Sequence, residues 1–128
     1  MTLSNHDDDA FARGVAMRTA VMGETHVVRS GGTDKDTATD LQRYVTEFGW
    51  GTIWQRGTLP LPVRSLLTVA MLIALGRPHE LAGHLRGALN NGCTPEELRE
   101  TVIHAIAYCG FPAAIDAMRI LDGILADE

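Results

Sequence analysis

Within "GRPHELAGHLRGALNNG" at residues 76–92, Arg77, Glu80 and His84 stand at spacings of i, i+3 and i+7. At about 100° per residue a helix gathers these three into one narrow arc. Leu81, Leu85, Ala88 and Leu89 form the adjoining arc, so the polar row borders an apolar face. A border of that kind suits the wall of a cleft, dry on one side and open on the other. A glutamate four residues before a histidine can hydrogen-bond the imidazole, fix its tautomer and raise its basicity. An arginine nearby offers a permanent, forked charge to a carboxylate. The same row also suits an ordinary solvated helix border with i,i+3 and i,i+4 pairs, and spacing alone leaves both readings open.

Other polar groups divide by context. "GETHVVRSGG" at 23–32 has glycines at both ends and reads as a loop or short extended segment. His26 and Arg29 within it stand where functional groups concentrate. His104, in "TVIHAIAYCG", lies on an apolar helix and reads as a core histidine. Cys93 and Cys109 form no C-x-x-C pair and no zinc spacing, so they read as reduced, buried thiols. No metal site is expected.

The elements that would carry these groups are helical. Apolar residues recur at helical spacing throughout, with no long alternation at period two. A first helix is expected from the acidic run Asp7–Asp9 to about Gly23, and a second from Thr33 or Asp34 to near Gly49. "WGTIWQRGTLPLP" at 50–62 reads as a connection. Residues 61–75 are nearly all apolar, which places that helix in a bundle centre or a subunit interface. Gly76 ends it, Pro78 starts the next helix and "NNG" at 90–92 stops that one. "TPEE" at 94–97 spells a capping box, the helix it opens reaches about Cys109, and a last helix runs from Pro112 to near Ala126. The expectation is one all-α domain over 1–128 with about six helices.

Composition sets the class. The 128 residues hold 45% hydrophobic and 21% charged residues, a globular rather than disordered balance. With a formal charge of −5 and Lys35 as the single lysine, the chain lacks the basic footprint for nucleic acid or an anionic membrane. The start, "MTLSNHDDDAFARG", has neither a basic nor an apolar run, which favours the cytoplasm. "SLLTVAMLIALG" is too short to span a bilayer.

Five blocks, "HVVRS", "WGTIWQR", "RSLLTVAMLIALGR", "HELAGHLRGALNNG" and "YCGFPAA", follow one another in the order found in one family. Through them the chain resembles the carboxymuconolactone decarboxylase family, and within it the γ-carboxymuconolactone decarboxylases of protocatechuate breakdown. The resemblance implies the helical fold of alkylhydroperoxidase D-like proteins. It implies a homo-oligomer, commonly a hexamer or trimer, and no cofactor. Peroxidase members of the wider superfamily carry C-x-x-C where this chain has Arg77 and Glu80, while His84 is kept. Peroxide reduction needs an attacking thiolate, so that change argues against it.

The implied reaction is decarboxylation of γ-carboxymuconolactone to 3-oxoadipate enol-lactone, with a small lactone carboxylate as the partner molecule. On this resemblance His84 is expected to deliver the proton and Glu80 to orient it. Arg77, Arg29 and Arg64 are expected to meet carboxylates or the lactone oxygen, with His26 as a second donor. Trp54 or Trp50 would form an apolar wall. The pattern departs in places. "TATDLQ" at 37–42 keeps Asp40 and Gln42 but no aromatics, "RGTL" at 56–59 puts Thr58 at an altered position, and basic residues give way to "LPV" at Leu61–Val63. Ile115 stands where an asparagine is usual. These changes point to two alternatives: a relative acting on another lactone or β-keto acid, and a non-catalytic ligand-binding member.

Overall fold

The computed structural model describes residues 3–127, with side chains from residue 10 onward. The described residues form seven α-helices and one π-helix, with no strand among them. They fall into two compact units, one ending at Leu59 and the other beginning at Pro60.

The first unit opens with α1, Leu3–Met22, so its start precedes the acidic run expected to open it. The side chains of Asp7–Asp9, and of His6, lie outside the described ones. Gly23, at φ 91°, turns the chain into α2, Glu24–Ser30. The segment expected as a loop is therefore a short helix. Its flanking glycines delimit the helix, with Gly31 at φ 75° closing it. Glu24 in its first turn and Arg29 in its last match the helix dipole. Arg18 Nη1 donates to the Gly31 carbonyl at 2.8 Å and ties this end to α1.

The next helix begins later than the expected Thr33 or Asp34. Residues 33–39 are turn and coil, and α3, Asp40–Tyr44, starts only where Thr39 and Gln42 form a capping box. Gln42 N donates to Thr39 Oγ1 at 3.1 Å, and Thr39 N to Gln42 Oε1 at 2.9 Å. The chain then continues as a π-helix, Val45–Ile53, through the stretch expected as a connection. Its wide turns show in Trp54 N donating to Gly49 O at 2.9 Å, five residues back. Gln55 Nε2 donates to both Trp50 O and Arg13 O at 3.2 Å, binding the π-helix end to α1.

Glycine makes the α1 contact possible. A Cβ at Gly14 would collide with the Thr46 carbonyl, and one at Gly51 with the Ala10 carbonyl. The two backbones therefore meet directly, with Thr46 and Trp50 buried beside them.

The second unit holds α4, Leu61–Leu75; α5, Pro78–Asn90; α6, Pro95–Cys109; and α7, Phe111–Ala126. Its core joins all four. Val69 and Ile73 come from α4, Leu85 from α5, Leu98 and Val102 from α6, and Leu121 from α7. Leu85, Leu98 and Leu121 are fully buried, so truncating any one to alanine costs about 2–5 kcal/mol. The capping box expected from "TPEE" is present, with Glu97 N to Thr94 Oγ1 at 3.1 Å and Thr94 N to Glu97 Oε1 at 2.8 Å.

Burial separates the two places expected for α4, a bundle centre and a subunit interface, and moves His104 out of the core. α4 buries the stripe Ser65, Val69 and Ile73, but Val63, Leu67, Met71 and Leu75 on its other side are exposed. His104 is exposed too, because α6 turns Leu98, Val102 and Ala105 inward and leaves position 104 outside that arc. Its ring lies 5.3 Å from that of Tyr108, centre to centre.

Replacing Gly14 with alanine is expected to destabilise the first unit by about 1–3 kcal/mol, the usual cost of overpacking a close contact. Gly49, with nothing near its absent Cβ, is the control, and there alanine should be neutral or stabilising by up to about 1 kcal/mol. Urea denaturation of the two variants checks the contrast.

Candidate active site on the α4–α5 hairpin

The turn between α4 and α5 sets the position of Arg77. Gly76 adopts the left-handed conformation at φ 68°, which a glycine takes without strain. Arg77 N then donates to Leu72 O at 3.1 Å, the six-to-one bond that closes a helix end. The Arg77 carbonyl accepts from Leu81 N at 2.9 Å and opens α5. Pro78, at the first helical position, also restricts the residue before it. The backbone of this arginine is thus held from both sides, while its side chain is exposed.

Arg77 lines a cavity of about 240 Å³ between the end of α4, the start of α5 and α7. The walls are mostly apolar, from Leu72, Ile73, Pro78, Leu81, Ala117 and Ile120. Asp116 adds a carboxylate to the wall and pairs with Arg119 at 3.2 Å. That pair is solvent-exposed and of little energetic weight.

Glu80 and His84 continue along α5 but are not part of the cavity lining. Glu80 is exposed. His84 is half-buried, with its Nδ1 nitrogen fully inside the protein. Seven residues separate His84 from Arg77, about 10 Å along the helix axis. The spacing that suggested one face therefore yields a row, with the cation at the cavity and the imidazole two turns further on.

Arg64 sits on α4, half-buried, 13 residues before Arg77 and so about 20 Å from it along the axis. Because α4 and α5 run antiparallel through a tight turn, His84 falls midway between the two arginines along the hairpin. The hairpin's far end is fastened by groups the sequence reading did not single out. Asn91 Nδ2 donates to the Ser65 hydroxyl at 2.9 Å, and the Cys93 thiol donates to Pro62 O at 3.4 Å. Ser65 was legible as a polar break in an apolar helix. Its partner was legible only as part of a helix stop.

The remaining candidates belong to the first unit. His26 and Arg29 lie on α2, His26 half-buried with Nε2 3.4 Å from Ser30 Oγ, and Arg29 exposed. Arg29, Glu24, Thr25 and Val28 line an open hollow of about 430 Å³. Trp54 follows the π-helix and stacks on Trp50 with ring centres 5.0 Å apart. Of the altered positions, Leu61 is half-buried while Thr58 and Ile115 are exposed. Among the described residues, no group of three or more His, Cys, Asp or Glu side chains is placed to hold a metal ion.

The chain belongs to the carboxymuconolactone decarboxylase family, whose model matches residues 39–123. It is 42% identical over 122 residues to the 4-carboxymuconolactone decarboxylase of Acinetobacter baylyi, covering 95% of this chain and 91% of that protein. It is also 39% identical over 117 residues to the nitrosuccinic acid decarboxylase of Metarhizium robertsii, covering 91% and 82% respectively.

Burial, and then the Glu97 carboxylate, push the Cys93 thiol above its ordinary pKa. The unfolded chain therefore ionises Cys93 before the folded chain does. Its contribution is complete at neutral pH and is lost as pH rises through the raised value. Stability should fall less steeply above the ordinary thiol range in Cys93→Ala than in the unsubstituted chain. Thiol labelling at neutral pH should modify half-exposed Cys109 well before Cys93.

Proposed function

We propose that this chain converts 4-carboxymuconolactone (the γ-carboxymuconolactone named above) to 3-oxoadipate enol-lactone by cofactor-independent decarboxylation. The observation that carries the reading is the row of Arg77 at the N-cap of α5, then Glu80 and half-buried His84 along it, in a chain 42% identical to a protein of that name. The substrate supplies its own electron sink. As the bond to the departing carboxylate breaks, its electron pair spreads through the unsaturated ring to the lactone carbonyl oxygen. Carbon dioxide leaves, and a proton must then be returned to carbon.

Each residue has a task in that sequence. His84 delivers the proton, and Glu80, one turn earlier, orients the imidazole and supports its charged form. Arg77 meets the developing negative charge on the lactone carbonyl oxygen. Arg64 holds the second carboxylate, on the CH₂ arm of the same carbon. A clamp on that arm binds substrate and transition state alike, whereas a clamp on the departing carboxylate would stabilise the ground state.

The second relative supports a broader substrate class. Nitrosuccinic acid also has a carboxylate, an electron sink and a CH₂–carboxylate arm on one carbon, with a nitro group in place of the unsaturated lactone. The second reading is therefore decarboxylation of another substituted succinate, and the altered positions Leu61, Thr58 and Ile115 are where its specificity would differ. The reading also includes a cytoplasmic homo-oligomer, a hexamer or trimer. The apolar stripe Val63, Leu67, Met71 and Leu75, exposed along α4, supports the assembly.

The test is turnover of freshly generated 4-carboxymuconolactone, followed by substrate loss and carbon dioxide release, with nitrosuccinate assayed in parallel. His84→Ala should lower kcat by about 10²–10⁴-fold, the range of general acid catalysis, with helicity and assembly unchanged. Arg77→Ala should lower kcat by about 10²–10³-fold. A near-normal rate in His84→Ala would remove that residue from the mechanism.

A further inference from the structure

We infer that Asn91 is a positioning residue for Arg64 and acts through the buried hydroxyl of Ser65. The inference rests on the decarboxylase reading above, in which Arg64 holds the arm carboxylate. Ser65 has no solvent exposure, and it interrupts the inward stripe it forms with Val69 and Ile73. Alanine would fill that place with higher helix propensity and no polar group to satisfy. The hydroxyl instead accepts a 2.9 Å bond from Asn91, 26 residues away. A second bond, from the Cys93 thiol to Pro62 O, falls on the other side of Arg64. The segment 91–93 therefore grips α4 on both sides of position 64.

The local backbone of Arg64 is already fixed. Its N–H donates to Pro60 O at 3.1 Å, and its carbonyl accepts from Thr68 Oγ1 at 2.8 Å. What those bonds leave open is how the start of α4 lies against the end of α5, far from the Gly76–Arg77 turn, and the Asn91–Ser65 bond fastens that end. Asn91, the C-cap of α5, stands seven residues beyond His84, as His84 stands seven beyond Arg77, the N-cap. His84 is thus centred between the Gly76–Arg77 turn and the Asn91–Ser65 bond. A tilt of α4 about the turn displaces this end most, and displacements near 1 Å are enough to spoil substrate placement.

The experiment measures kcat and KM for 4-carboxymuconolactone in the unsubstituted chain, Asn91→Ala, Ser65→Ala, Arg64→Ala and the Asn91→Ala/Arg64→Ala double variant. Ser65→Ala serves as the second probe because it leaves no buried polar atom, and half-buried Asn91 can turn to water. Asn91→Ala and Ser65→Ala should each raise KM about tenfold, the size of one well-made contact, with kcat within about twofold. The pH profile of kcat should not move, since His84 is untouched. The double variant should be no worse than Arg64→Ala, because one residue acting through another cannot add to its loss.

Multiplying effects in the double variant would overturn the inference. So would a lowered melting temperature with KM unchanged. If the unsubstituted chain turns over substrate but Arg64→Ala keeps its KM, the inference falls and the decarboxylase reading stands. No turnover in the unsubstituted chain would remove both.

Discussion

The bond from Arg77 N–H to the Leu72 carbonyl closes one helix, and four residues on, the Arg77 carbonyl receives the bond that opens the next. A single residue thus serves as the end of α4 and the start of α5. The arrangement depends on Gly76 taking a left-handed conformation and on Pro78 needing no donor at the first helical position. From it follow the antiparallel course of the hairpin, the apolar cavity beside the turn, and a cation whose main chain has no freedom left. The four-helix core then needs only to hold the hairpin's buried side, which Val69, Ile73, Leu81 and Leu85 do.

Two different kinds of fastening hold the hairpin's ends. At the turn the bonds are backbone to backbone, so they constrain geometry whatever the side chains are. At the open end they run from a side-chain amide to a hydroxyl and from a thiol to a carbonyl. That end is therefore specified by residue identity. The proposed proton donor sits between them, on the stretch of α5 whose inward neighbours, Leu81, Leu85 and Ala88, are buried.

How far the sequence disclosed this varied with the range of the interaction responsible. α4, α5 and α6 were legible nearly to the residue, because Gly76, Pro78, Thr94 and Glu97 act within one turn of where they stand. The segment from 24 to 53 was not. Glycines at 23, 31 and 32 were read as marks of a loop, yet they bracket a helix only seven residues long. The capping box at Thr39 and Gln42 was present in the letters, but Thr33 and Asp34, also of capping type, stood upstream of it. The π-helix had no local signature at all, since Gly49 and Gly51 resemble loop residues until α1 is placed against them. At the candidate site, the residue types and the spacing of Arg77, Glu80 and His84 were legible, but not that Arg77 caps α5 and lines a cavity that the other two do not. The link from Asn91 to Ser65 was not, because a bond across 26 residues leaves no periodic trace.

The contact of α1 with the π-helix has a consequence for how the gene can drift. At residues 14 and 51 the partner's main chain occupies the place of a first side-chain carbon. Every amino-acid replacement at a glycine codon adds at least that atom, so neither codon has a conservative missense neighbour. Lineages that retain this crossing can vary those two codons only by silent changes, while Gly49 and Gly57, surrounded by open space, are free to diverge.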